Sequence, residues 1–361
     1  MQQELRAVPL FRAWTPIRSD GDPICGHLNW FEHAGQMTVE DLGRLRGFRP
    51  DDICYLSSTE PAQLMALVRW MKGLPPEQRP HCVLEFGSDP GIDVEPGARP
   101  DQYVMQLRDY RLDPRPMFYR FAARFLQDDD LARFHMITFN AGTSAVYTQL
   151  LGKPVGALPL PQFSNAQIIN RAGRRPITVA ALRHQRPDKG YHLMPQIARL
   201  LLAYEPEVRL LIHNCIPEQM PQVQAELRAH AAVEPRVTLN GQIAGPALWR
   251  SLLDQSDVIL CPYEPKRYAA SYSAVAAEAV ACGIPLVVPA RTSLSRLLAD
   301  FGQPGEAFET FDPPGIVAAT RRVVADFDAF AGKAAAAAER WIATMGVTNM
   351  VSGLLALCQQ D

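Results

Sequence analysis

Residues 261–289 read CPYEPKRYAASYSAVAAEAVACGIPLVVP, a stretch that holds a loop, a helix, a stop and a strand in that order. Ser273 is a preferred N-cap residue for a helix that starts at Ala274. Gly283 is a natural residue just past a helix end, and Pro285 prevents continuation. The run IPLVVP (284–289) is apolar without alternation, as is DVILCPY (257–263) before the loop. Continuously apolar strands that alternate with helices belong to a parallel sheet covered on both faces. Within the helix, Glu278 is the one charged residue from Ala274 to Cys282, and its neighbours three and four positions away are all apolar. A buried carboxylate without a partner is costly. A ligand diol such as a ribose would satisfy it, and so would a structural salt bridge to a lysine or arginine. The residues themselves leave both readings open.

The same alternation extends outward. PITVAAL (176–182), VRLLIHN (208–214) and RVTLNG (236–241) read as strands, and YHLMPQIARLLLAY (191–204), VQAELRAHAA (223–232) and PALWRSLLDQ (246–255) as helices. In the first half, DDICYLSS (51–58), HCVLEFG (81–87) and HMITFN (135–140) are strand-like, with a further short strand in PVGALPLPQF. PAQLMALVRWMKGL (61–74), MFYRFAARFLQ (117–127) and SAVYTQLLG (144–152) are helical, the last stopped by Gly152. Between the halves, PLPQFSNAQIINRAGRRP (159–176) has the composition of a connection. A chain of 361 residues exceeds what one core normally serves, so two α/β domains of Rossmann-like type are expected, 1–165 and 166–346. The segment 347–361 is apolar on one face (Val347, Met350, Val351, Leu354, Leu355), and a helix this short buries such a face only against another element.

Composition narrows the partners. The formal net charge is −2, with no run of five like charges, which argues against an electrostatic grip on nucleic acid. Seven cysteines are scattered singly with no CxxC pair, a pattern of reduced thiols that points to a cytoplasmic protein. The first thirty residues show no signal-peptide pattern, and no eighteen consecutive apolar residues occur. No HExxH, strand-end DxD pair or GxSxG elbow is present, so metal hydrolysis and serine esterase chemistry lack support and no metal is expected.

In open α/β sheets, ligands sit beyond the carboxyl ends of the strands. There, LRHQRPDKGYHL (182–193) sets Arg183, His184, Arg186 and Lys189 between a strand and a helix. Four potential cations in that place suit a phosphate group; a solvated basic turn is the plainer alternative. GHLNWFEHAG (26–35) offers His27, Glu32 and His33 near a first loop.

Taken together, these tracts resemble a known family. Glu278-Ala-Val-Ala-Cys-Gly-Ile-Pro-Leu-Val-Val is similar to the E-A-x-A-x-G-x-P-x-V-x signature of retaining GT-B glycosyltransferases, family 4 in particular. The Arg183…Lys189-Gly190 loop resembles that family's R-x(n)-K-G diphosphate loop, and NGQIAGPALWRSLLDQSDVILCPY its intervening segment, so the likeness covers roughly residues 145–300. The resemblance implies two Rossmann-like domains facing a central cleft, with the chain end returning to the first domain. It also implies transfer of a sugar from a nucleoside diphosphate sugar to a saccharide, lipid-linked or peptide acceptor, with no covalently bound cofactor.

By position, Lys189 and Arg183 would contact the donor diphosphate and assist the leaving group, and Glu278 would take the ribose hydroxyls. Ser273, with the amides from Ala274 onward, would face the diphosphate or sugar. A subgroup pattern matches Pro262, Tyr263, Tyr268, Ser273 and Glu278, with Ala274 in place of a glycine. The Arg183-to-Lys189 spacing is one residue longer than the family's commonest form, which brings Arg186 into the same role. His27 and His33 would lie on the acceptor side. Ala270 stands where the family places a sugar-contacting glutamate, and 84–91 lacks its histidine. A catalytically silent binding partner and a nucleotide-sugar epimerase are the alternatives. The expected location is cytoplasmic, with peripheral contact to the inner membrane face as an alternative; oligomeric state is left open.

Overall fold

The computed structural model describes residues 42–359 apart from 44–47, 58, 88, 97–102, 110–112, 128–129, 131, 161–167 and 183–185. Backbone contacts divide the chain into two units. The first includes Ile53–Asp93 and Val104–Leu158, the second Pro159–Val351 together with Val94–Pro96 and Tyr103, and residues from Ser352 on group with the first.

The first unit is built on β1 (Ile53–Leu56), β2 (His81–Glu85), β5 (Phe134–Thr138) and the two-residue β6 (Gly156–Ala157), in the order β1-β2-β5-β6 and parallel throughout. Between β2 and β5 the chain forms a separate two-stranded pair, β3 (Ile92–Pro96) and β4 (Tyr103–Leu107), which the loop-like sequence after Phe86 did not announce. Helix α1 (Pro61–Gly73) is buried on nearly every residue to Met71 and starts with a capping box in which Gln63 accepts from the Glu60 amide at 2.8 Å. Helix α2 (Arg115–Ala123) and helix α3 (Ala141–Leu151) complete the layers; Asn140 caps α3 by accepting from Thr143 N at 2.8 Å, and Gly152 ends it at φ +65°. Phe86, Tyr119 and Tyr147 pack edge-on and tilted at 5.1–6.1 Å between ring centres in the core.

At the amino ends of β2 and β5, Arg133 donates to His81 Nε2 at 2.8 Å, so the His81 proton sits on Nδ1 and is donated to His135 Nε2 at 2.9 Å. Burial, with the neighbouring His81 and Arg133, pulls the His135 imidazole down to about 4 from 6.5. The unfolded chain therefore binds a proton that the folded one refuses between these two values, and stability is lost as pH falls through that window. The unfolding midpoint of the wild type should drop from pH 6.5 to pH 4 more steeply than that of His135→Gln. Parallel slopes in chemical denaturation series across that range would refute the assignment.

The second unit is one six-stranded parallel sheet of β7 (Ile177–Ala181), β8 (Val208–His213), β9 (Val237–Asn240), β10 (Val258–Leu260), β11 (Leu286–Pro289) and β12 (Gly305–Phe308). Their order is β12-β11-β10-β7-β8-β9. The chain starts in the middle at β7, steps outward to β9, then returns to lay β10 on the other side of β7. Helices α4 (Met194–Tyr204), α5 (Pro221–Val233), α6 (Pro246–Gln255), the single turn α7 (Pro265–Tyr268), α8 (Ala274–Ala281), α9 (Ser293–Asp300), α10 (Pro313–Ala325) and α11 (Phe327–Met345) connect the strands and follow the last one. Two buried layers result, one around Val179, Leu201, Leu210 and Phe327, the other around Trp249, Leu253, Ile259, Val280 and Trp341. Asp257 is buried and locks the centre by accepting from Thr178 N at 2.9 Å across β7 and β10.

Helix α12 (Val347–Cys358) ends the chain. By length and composition, Phe327–Cys358 could pass for a membrane span. Gly346 interrupts it with extended backbone at ψ 161°, and α11 buries Phe327, Ala334, Ala338 and Trp341 in the second unit's core, so α11 is a core helix of that unit. Within the first unit, a Cβ on Gly353 of α12 would stand 2.8 Å from Leu158 Cδ2.

Candidate functional site

The return of the chain from β9 to β10 makes β7 and β10 the pair at which strand order reverses. The carboxyl ends of such a pair open the crevice where an open parallel sheet takes its ligand. The two loops that leave those ends are 182–193 and 261–273, and they are in contact. Gly190 adopts φ +67°, and a Cβ there would lie 1.8 Å from the Pro262 carbonyl oxygen. Glu264 N also donates to the Asp188 carbonyl at 2.9 Å.

Side chains from the two loops interleave. Lys189 Nζ stands 5.5 Å from the Tyr263 ring centre, and the Tyr263 and Tyr268 rings pack at 4.4 Å. Tyr263 is buried near Ser273, and burial drives the proton affinity of its hydroxyl well above that of a free phenol. Ser273 is the cap of α8, accepting from Ala276 N at 3.3 Å. Lys189, Tyr263, Tyr268, Ser273 and Ala274 therefore form one cluster at the N-terminus of α8, where the helix dipole and the first amides favour an anion. Cys261 beneath them is pushed up to about 12 by burial, so it stays a neutral thiol despite nearby Lys189.

Arg186 joins the cluster in a different way from that expected. It pairs with Asp188 at 2.8 Å, and the Tyr268 hydroxyl reaches the same Asp188 Oδ2 at 3.4 Å. The loop is thus a braced cation–anion pair beside Lys189, not a set of equivalent cations, and Asp188 is the residue that the sequence reading passed over. Arg183 and His184 lie outside the described residues, as do His27 and His33.

Glu278 is buried in α8 at 6% exposure, as its neighbours require. Its carboxylate already has a protein partner. Trp249 Nε1 of α6 donates to Oε2 at 2.6 Å. From sequence, Trp249 entered only as a member of the helix PALWRSLLDQ; its N–H is the part that matters. Ala270 is likewise buried, at 3% exposure, in the loop between α7 and α8.

A structural tie holds the far end of this assembly. Arg171, 1% exposed, donates to the carbonyls of Ser256 at 2.8 Å, Leu253 at 3.2 Å and Cys282 at 2.9 Å, at the C-terminal ends of α6 and α8. Burial and nearby Arg174 bring the guanidinium down to about 10, still a cation that suits the negative ends of two helix dipoles.

In the first unit, the stretch 86–91 after β2 is held by ions. Arg108 contacts Asp89 at 2.8 Å, Asp93 at 2.9 Å and Asp113 at 3.0 Å, and Arg115 contacts Asp113 at 2.6 Å. Among the described residues, His81, His135 and Cys358 place ligand atoms within 4.8 Å of one another. A metal there would have to displace the His81 proton and turn Arg133 away from the ring, so the donor set fits a hydrogen-bonded chain better than a metal centre.

The comparisons with known proteins agree with this geometry. Residues 174–326 match the family model described as glycosyl transferases group 1. None of the curated proteins matches the chain. Among solved structures, sucrose-phosphate synthase from Thermosynechococcus elongatus is similar with a TM-score of 0.61 at 16% identity, covering 92% of this chain and 77% of that one. The α,α-trehalose 6-phosphate synthase from Burkholderia multivorans aligns with a TM-score of 0.63 at 14% identity, over 92% and 76%. The pneumococcal O-GlcNAc transferase in complex with UDP and GlcNAc gives 0.62 at 11%, over 90% and 60%. Residues 174–326 are thus similar to the glycosyl transferases group 1 family, and the chain that carries them has the GT-B fold.

Proposed function

We propose that the chain transfers a hexosyl group from a nucleoside diphosphate sugar to a saccharide, lipid-linked or peptide acceptor with retention of configuration. The observation that carries this reading is the meeting of the Lys189 loop and the capped start of α8 at the β7–β10 reversal. Lys189 and the first amides of α8 hold the diphosphate, Tyr263 and Tyr268 wall the pocket, and Glu278 takes the ribose diol. The bond from the sugar's anomeric carbon to the β-phosphate oxygen breaks, and the acceptor oxygen bonds to that carbon on the same face. The departing diphosphate accepts the acceptor's proton. The protein's task is placement and charge stabilisation, which the helix dipole and Lys189 supply without a bound metal. The described cysteines are free thiols, in keeping with action in the cytoplasm.

Thermal shifts and diphosphate release with UDP-, GDP-, ADP- and dTDP-sugars test the proposal, with NMR of the product anomer for retention. One donor should raise the melting temperature and be turned over. If none of the four does either, the reading fails; an inverted product removes the retaining assignment alone. A second reading, a donor-binding protein without turnover, is favoured by Ala270. Binding with no release of diphosphate would select it.

A further inference from the structure

Trp249 lies between a buried histidine at the end of β8 and the buried carboxylate of α8. His213, at the end of β8 and fully buried, points Nε2 at the Gln242 carbonyl at 2.8 Å, just past β9. Its ring lies 6.4 Å from that of Trp249. Trp249, on α6 and 6% exposed, then donates its indole N–H to Glu278 Oε2 at 2.6 Å on α8. The indole is wedged in an apolar layer that includes Leu252, Leu253 and Val280, so it has little freedom to follow a moving carboxylate.

We propose that Trp249 is a positioning residue that fixes the Glu278 carboxylate for a ribose diol. The inference rests on the donor-site reading above. A carboxylate has about four acceptor sites, and the indole takes one. A flexible glutamate would have to lose side-chain freedom when it grips two hydroxyls. Here the indole holds the carboxylate before the ligand arrives, and as a neutral donor it adds no compensating charge of its own. The arrangement makes ribose recognition depend on a residue that does not touch the ribose.

The test is ribose discrimination. Dissociation constants are measured for UDP, ADP and GDP and for their 2′-deoxy counterparts, and the base that binds wild type best is carried forward. The wild type should prefer the ribonucleotide by about tenfold, the scale of one well-made hydrogen bond to a charged group. Glu278→Gln should bring the ratio close to one. Trp249→Phe, which keeps a ring and loses the N–H, should cut it about threefold or more while the deoxynucleotide binds within about twofold of wild type. Weakening both ligands equally, or leaving the ratio at its wild-type value, overturns the role of Trp249. An unchanged ratio in Glu278→Gln instead sinks the donor-site reading itself. Should Trp249→Phe not fold, ¹⁵N-labelled tryptophan in the wild type gives the answer. One indole N–H resonance must shift with the ribonucleotide and not with its deoxy analogue, and the absence of such a resonance overturns the inference.

Discussion

Lys189→Ala will lower kcat/KM for the sugar donor by about two to three orders of magnitude, the cost of removing one group that stabilises charge developing in a transition state. Lys189 is placed for that work by a turn, Pro187–Lys189, whose carboxyl end is pinned under the β10 loop. Its ammonium lies over Tyr263, which neighbours the Ser273 cap, so cation and helix start address the same volume. Partial exposure of the side chain means that folding should scarcely register the change. The expected pattern is a fall in kcat larger than the rise in KM, an unaltered melting temperature, and partial recovery in Lys189→Arg. A kcat/KM within about twofold of wild type would take the loop out of the mechanism.

Gly190→Ala will act on the same loop through structure. The backbone at φ +67° costs a residue with a Cβ about 1–2 kcal/mol. Here a second cost dominates, because the new Cβ would sit 1.8 Å from the Pro262 carbonyl oxygen and 2.9 Å from its carbon. Backbone cannot be pushed aside as a side-chain tip can, so the 182–193 loop must lift away from 261–273. We expect a loss of about 3–5 kcal/mol in chemical denaturation, combining conformational strain with overpacking, and the disappearance of nucleotide binding. Gly152 is the control. It has nearly the same φ, +65°, but nothing within 4 Å of an added Cβ, so Gly152→Ala should lose only the conformational part. Equal losses at the two glycines would show that the loops do not depend on close approach.

Local signals gave most of the second unit's elements. Ser273 and Gly283 bound α8 as their residue types require, with Gly283 at φ +66°. Strands without polar alternation led to a fully covered parallel sheet, and both chemically unusual loops proved to lie at strand ends. The order of the strands was not legible, because the pairing of β10 with β7 brings together segments some eighty residues apart and no local pattern encodes it. That pairing is what selects two loops from all those available. Short elements escaped for a related reason. Polar residues interrupt β3, β4 and β12 (Asp93, Glu95, Gln106 and Glu306), and the existence of these strands rests on partners supplied by the fold. Asp188 and Trp249 were missed because counting cations or apolar positions discards what one side chain does to its neighbour.

The guanidinium of Arg171 has a consequence for how this architecture can vary. It reads carbonyls at the ends of α6 and α8 at once. Each residue added to a helix advances its end by 1.5 Å and turns it by about 100°. An insertion or deletion inside either helix would therefore swing its terminal carbonyls off a donor that the other helix still holds, and the misfit would be felt in both. Arg171 works as a gauge of length shared by two helices, so Trp249 and Glu278 keep their relative height only while both helices keep their residue count. A change of length that spares this tie belongs in the turns that precede α6 and α8.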